Sequence, residues 1–393
     1  MNTKTILILL LGTMTAIGPF SIDMYLPGLQ SISKDLNTPI ENVQLTLSSF
    51  FFGFSFGQIL YGPIIDRYGR KLPLLVGLAL YIITSIGCVL ANNVWSLFVL
   101  RFLQSLGACS GMVISRAIVR DAFTPHEGAK VFSQIILVMG VAPIIAPTVG
   151  GLILSVASWR YIFVSLSGIG ILTFIGVYFY LTGTKEADQT VSLSPTKVLK
   201  EYWNVLLLPR FYKYAIASSF AASVMFAYIA GSPFVFMSLF QLTEQQYGWI
   251  FAFNAAGLIL SSQLNRVLLQ KYESEKIITI VAYLYLPLGI LLLASAYFGL
   301  GFIPMLTLIF LLVSGFGFIV PNASALCLAP FTHNAGSASA LIGGLQMIFA
   351  VLASSLVSLF HNGTALPMAS VMAMGGFMTI VSLFVLKIPH ANS

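Results

Sequence analysis

"GPIIDRYGRK" (residues 62–71) places four charged side chains, Asp66, Arg67, Arg70 and Lys71, between two long stretches, 42–65 and 72–100, that carry none. The chain has 393 residues with only 19 Lys and Arg and 12 Asp and Glu, so this crowding needs a cause. Hydrophobic residues make up 58%, charged residues 8%, and the mean hydropathy is +0.94. A water-soluble domain carries about a quarter charged residues, and a surface facing water cannot be assembled from so few. Further charge-free runs occupy 131–159, 161–184, 214–243 and 245–265, and no Asp, Glu, Lys or Arg lies between Ile277 and Leu386. Each run reaches the ~20 residues a helix needs to cross the hydrocarbon of a bilayer. The composition therefore predicts an all-α polytopic membrane protein.

The opening "MNTKTILILLLGT" has the charged-then-apolar order of a secretory leader. Its apolar run continues past Ala16 to Pro27 with no A-x-A-like cleavage site, so it reads as a retained first span. Cys88, Cys109 and Cys327 all fall within apolar runs and lack metal-ligand spacing. They read as buried thiols, and neither a metal nor a cofactor is expected.

Polar, Pro and Gly clusters divide the chain into twelve spans, near 5–28, 42–62, 73–91, 96–118, 130–154 and 160–182, then 211–238, 246–268, 276–297, 302–322, 337–360 and 366–387. The expected organisation is a six-helix half over 1–182, a polar linker over 183–210 and a second six-helix half over 211–393. With the N-terminus inside, sixteen cations fall on the cytoplasmic face and two, Lys34 and Arg160, on the other. Lys and Arg collect on the cytoplasmic side, so both termini are expected there. The net charge of +7 is then a topology signal rather than an affinity for nucleic acid. A shift of 204 residues lays "IIDRYGRK" (64–71) over the first eight residues of "LLQKYESEK" (268–276), each following the second span of its half. Paired halves are a transporter plan, with the binding site near the bilayer midplane.

Positive-inside anchoring explains Arg67, Arg70 and Lys71 but not Asp66, Gly62 or Gly69. Gly62 permits close helix approach, Gly69 can take the positive φ of a sharp reversal, and Asp66 precedes a helix N-terminus that favours a carboxylate. The loop resembles the signature between spans 2 and 3 of the major facilitator superfamily. "RFLQSLGA" (101–108) resembles the span-4 motif of its proton-driven drug antiporters. "GVAPIIAPTVGG" (140–151), with Gly140, Pro143, Pro147, Gly150 and Gly151, is similar to their span-5 antiporter motif, and "SWRYIF" (158–163) follows it. "DMYLP" (23–27) narrows the resemblance to the bicyclomycin-resistance branch. The second half matches more softly, through "GSPFVF" (231–236) and "GSASALIGGLQ" (336–346). The resemblance implies the twelve-helix major facilitator fold. It also implies a cytoplasmic latch in which Arg70 pairs with Asp121, beside Arg120, and it favours export by proton antiport from the inner (plasma) membrane. A monomer exchanging protons for drugs or small amphipathic molecules is the expected form.

Only Asp23 and Arg101 lie well within spans. A charge there costs roughly 2.5–3.5 kcal/mol on insertion scales, which marks it as functional by default. Both lie about five residues from the outer ends of their spans, roughly 7–8 Å deep at 1.5 Å per residue, and could share one layer. Asp23 is expected to carry the proton, since burial favours the neutral carboxyl and a nearby cation the ionised one. A structural ion pair is the bland alternative. Some relatives have a second acid two turns earlier in span 1, where this chain has Thr15, which bears on strongly cationic drugs. Tyr25, Gln104, Phe226, Tyr228, Asn254, Asn322 and Gln346 are candidate pocket residues for an amphipathic substrate. No HExxH, GxSxG, GxxxxGK[ST] or intraspan acid pair occurs, so a membrane enzyme is disfavoured. A receptor fits the two-half plan poorly. Proton-coupled transport of a small metabolite such as an amino acid or sugar is the alternative transporter reading.

Overall fold

In the computed structural model the described residues are 3–122, 125–181, 203–331 and 335–385. The linker expected at 183–210 lies outside them apart from its last residues. Twelve long helices are present among the described residues, and they number with the spans. The first six are α1 (Thr3–Asp23), α2 (Ile40–Tyr68), α3 (Lys71–Val89), α4 (Val94–Ala122), α5 (Pro125–Val156) and α6 (Arg160–Tyr180). The rest are α7 (Pro209–Pro233), α8 (Glu244–Leu268), α9 (Ser274–Phe298), α10 (Phe302–Leu328), α11 (Ala335–Leu359) and α12 (Leu366–Val385). Ten of these are long and apolar enough to cross a membrane, and α5 adds an apolar stretch at Val141–Val156. α8 carries Gln245, Gln246, Asn254, Gln263 and Asn265, which dilute its hydropathy. Asn254 and Asn265 are nonetheless buried inside the protein.

Contacts divide the chain into two compact units. The first comprises Met1–Val198 with Glu244–Ala252, the second Leu199–Thr243 with Phe253–Ser393. In the first unit α2 packs on α4, α3 on α4 and α6, and α1 on α5, α4 and α6. In the second, α7 packs on α10, α11 and α12, and α9 on α10 and α12. In lipid, helices gain little from hydrophobic exclusion and associate where small residues let backbones approach. A Cβ at Gly107 would stand 2.6 Å from the backbone nitrogen of Tyr81, and one at Gly111 2.5 Å from the Met14 carbonyl oxygen.

The units share one packing device. Tyr81 of α3 is fully buried between Gly107 of α4 and Gly170 of α6. Tyr285 of α9 is buried between Gly315 of α10 and Gly376 of α12, where a Cβ at Gly315 would reach 2.3 Å from its ring. The two tyrosines stand in the same 204-residue register as the paired loops.

The end of the first span differs from the expected boundary at 28. The α-helix stops at Asp23, a 3-10 turn follows at Leu26–Gly28, and a short helix runs over Leu29–Asp35. Pro27 has no N–H to offer the Asp23 carbonyl four residues back, and its ring disfavours helix in the residue before it. The short helix ends in a Schellman cap. Thr38 N–H bonds to Ser33 O and Asn37 N–H to Lys34 O, with Asn37 at φ 47°; asparagine tolerates this left-handed position. α4 begins on an Asn93 side chain that accepts the Ser96 N–H at 2.8 Å, a standard helix cap.

Candidate functional site

Asp23 closes α1 with 4% of its surface exposed. Among the described residues no hydrogen bond or ion pair engages its carboxyl, and none joins it to Arg101. Arg101 is completely buried and meets Tyr25 instead. Its guanidinium carbon lies 4.3 Å from the ring centroid of Phe50, 4.6 Å from that of Tyr25 and 5.8 Å from that of Phe163. Aromatic faces attract a desolvated cation, each by up to about 2 kcal/mol. Nη1 donates to Gln104 Oε1 at 2.7 Å, and Gln104 Nε2 donates to Ser85 Oγ at 2.8 Å. Nε and Nη2 find no acceptor among the described residues. These two N–H groups form the side-on fork that a carboxylate grips in two places.

Tyr25 closes this region with a hydroxyl contact to Thr46 Oγ1 at 2.7 Å, and Ser21 meets the Tyr81 hydroxyl at the same distance. The antiporter motif backs the turn directly. A Cβ at Gly150 would lie 2.4 Å from the Met24 carbonyl and 3.1 Å from Pro27 Cγ, so only glycine lets α5 reach the chain just after Asp23. Gly151 faces the Glu244 carbonyl in the same unit. Pro143 and Pro147 lie within α5; Gly140 is described in backbone only.

At the other end of this unit Gly69 turns the chain between α2 and α3 at φ 77°, ψ −176°, a region essentially restricted to glycine. Arg70, fully buried, donates Nε to Asp121 Oδ2 at 2.8 Å and Nη1 to the Ile65 carbonyl at 2.7 Å. It thereby ties the end of α4 to the end of α2. Lys71 Nζ donates to the Tyr178 carbonyl at 2.9 Å, and Arg67 lies over the Tyr68 ring. Gly62 sits one residue before Pro63 inside α2. The side chains of Asp66 and Arg120 lie outside the described residues.

The pocket candidates are engaged inside their own units. Gln104 is buried and spent on Arg101, which makes it a support for the cation. Asn254 Nδ2 donates to the Tyr228 hydroxyl at 3.1 Å, Asn322 Nδ2 to Asn265 Oδ1 at 2.6 Å, and Gln346 Nε2 to Ser218 Oγ at 3.4 Å. Phe226 is buried on α7, which passes at Pro233 into a π-helical turn over Phe234–Leu239.

Sequence reasoning missed the partners of Arg160, read only as an outer-face cation. Its Nη1 pairs with Asp35 Oδ2, which also accepts the Trp159 indole N–H at 3.0 Å. The signal was present, since Asp35 and Arg160 are an acid and a cation on the same sparsely charged face.

The Major Facilitator Superfamily profile matches residues 10–354. The chain is 34% identical to the MFS-type transporter YdgK of Bacillus subtilis, over 92% of this chain and 90% of that one. It is 31% identical to the bicyclomycin resistance protein homolog of Haemophilus influenzae, over 99% and 98%. Identity to the multidrug resistance protein MdtL of Escherichia coli O127:H6 is 29%, over 84% and 82%. A D-xylose-proton symporter shares the fold with TM-score 0.78 at 15% identity, covering 100% of both chains. A bacterial homologue of the lysosomal transporter Spinster does so with TM-score 0.71 at 14%, over 98% and 95%. The chain is a multi-pass membrane transporter, not an enzyme, and it belongs to the Major Facilitator Superfamily, in the branch that holds the bicyclomycin resistance protein homolog.

Proposed function

We propose that this transporter exports drugs or other small amphipathic molecules in exchange for protons, by alternating access in the inner (plasma) membrane. In this reading it works as a monomer with both termini cytoplasmic. Asp23 carries the proton and Arg101 answers its charge. One observation carries the reading: among the described residues the carboxylate at the end of the first span is buried without a partner, and Tyr25, two residues on, covers a buried cation, Arg101, two of whose N–H groups also lack an acceptor. A permanent negative charge is costly at the C-terminal end of a helix dipole in lipid. The neutral carboxyl can rest there, and the ionised one is drawn to the Arg101 fork. Substrate and proton then compete for one state of the turn, which yields exchange. The drug-resistance names of the relatives support the substrate class. The Gly69–Arg70–Asp121 corner serves as the latch, holding one packing of its helices and so biasing one state of the cycle.

The test is proton release. Purified protein in proteoliposomes with an imposed pH gradient should release protons when bicyclomycin or a member of a drug panel is added, and should concentrate that compound against its gradient. Concentrative transport without proton movement would overturn the reading.

A further inference from the structure

The outer end of the first unit is fastened at one point. Asp35 ends the short helix that follows the Asp23 turn, and its Oδ2 receives both the Arg160 guanidinium and the Trp159 indole. Arg160 also donates Nε to the Val89 carbonyl at 3.2 Å and Nη2 to the Ala91 carbonyl at 3.3 Å, at the end of α3. Its guanidinium lies 4.5 Å from the Trp159 ring centroid. From this clasp a row of rings descends. Trp159, only 2% exposed, meets Phe163 edge-on at 6.0 Å, Phe163 meets Tyr25 at 5.7 Å, and Tyr25 covers Arg101 at 4.6 Å. Two routes therefore join the clasp to the buried pair: the backbone from Asp35 through Leu29 to Asp23, and the aromatic row to Arg101.

We propose that Asp35, Trp159 and Arg160 are positioning residues for proton coupling, fixing the Asp23–Tyr25 turn against Arg101 from the outer surface. The inference rests on Asp23 being the proton carrier. Pinning both ends of the turn limits how far the Asp23 carboxyl stands from the Arg101 fork. Releasing the outer end loosens that distance without altering either charge. Ionisable groups on the elements packed about the turn include Arg101 on α4, Tyr25 on the turn, Tyr81 and Cys88 on α3, Arg160 and Tyr161 on α6, Lys34 and Asp35 on the short helix and Glu41 at the start of α2; α5 has none between Val141 and Val156. A purely structural clasp would lower the amount of folded protein and leave the pH dependence of transport unchanged.

The experiment compares wild type, Asp35→Asn, Trp159→Phe and Arg160→Lys in proteoliposomes, measuring substrate-induced proton release and exchange rate across pH. Trp159→Phe keeps the ring row and removes only the indole N–H, so it guards against a variant that fails to fold. Asp35→Asn should lower turnover roughly threefold to tenfold, in line with loss of a hydrogen-bonded charge, and should displace the midpoint of the pH profile. Arg160→Lys should fall between it and wild type. Folded Asp35→Asn and Trp159→Phe proteins with the wild-type pH midpoint would overturn the positioning role alone. Absence of proton release in wild type would overturn the carrier reading and, with it, this inference.

Discussion

Asp23 ends its helix because of a residue four places on. Pro27 removes the N–H that would have continued the ladder, so the carboxyl sits on a turn rather than midway along a rigid rod. A turn can move by a bond rotation or two, whereas a mid-helix side chain moves only with its helix. Asp23→Asn keeps the shape and loses the exchangeable proton. It should insert normally and still pass substrate down a gradient. Concentrative transport and substrate-induced proton release should both be lost in the liposome assay; undiminished release by this variant would assign the proton to another group. The sequence made the pair legible, as two charges inside apolar runs. It did not reveal that Arg101 faces rings and Gln104 rather than the acid. Hydropathy records how long a segment stays apolar, and is blind to which neighbour a side chain meets.

At the scale of elements, the charged loop is a built corner. Gly69 takes a backbone conformation closed to other residues, and that reversal lets Arg70 reach both Asp121 and the Ile65 carbonyl. Gly69→Ala should cost about 1–3 kcal/mol of local strain and slow turnover more than it weakens substrate binding, as measured by separate binding and exchange assays. Equal losses in both would mean the corner merely anchors the loop. The Arg70–Asp121 pairing was expected from the motif. The partners of Arg160 were not, because an ion pair between the short helix after α1 and the start of α6 depends on tertiary packing. The broken end of α1 was readable in principle, from the four-residue spacing of Asp23 and Pro27. A boundary drawn by hydropathy passes over it because Met24, Tyr25 and Leu26 are as apolar as the helix before them.

At the largest scale, the twelve long helices among the described residues follow the twelve apolar runs closely, since in lipid every backbone group must be paired within its own segment. Orientation rests on the sixteen-to-two division of cations. A cysteine near Asn37 should react with an impermeant thiol reagent in intact cells, and one placed within 183–210 should not; the opposite pattern would invert the map.

The paired tyrosine clamps bear on the history of the chain. Tyr81 and Tyr285 fill matching glycine-walled slots, yet only the Tyr81 hydroxyl has a companion, Ser21; that of Tyr285 is buried with none among the described residues. If both descend from one ancestral copy, the ring has been retained for its volume while the oxygen of the second copy fell silent. Tyr285→Phe should then leave the melting temperature in detergent unchanged or slightly raised. Tyr81→Phe should cost about 0.5–1.5 kcal/mol, the worth of one net hydrogen bond. The same letter thus stands at both places, while among the described residues only the first tyrosine uses all of its atoms.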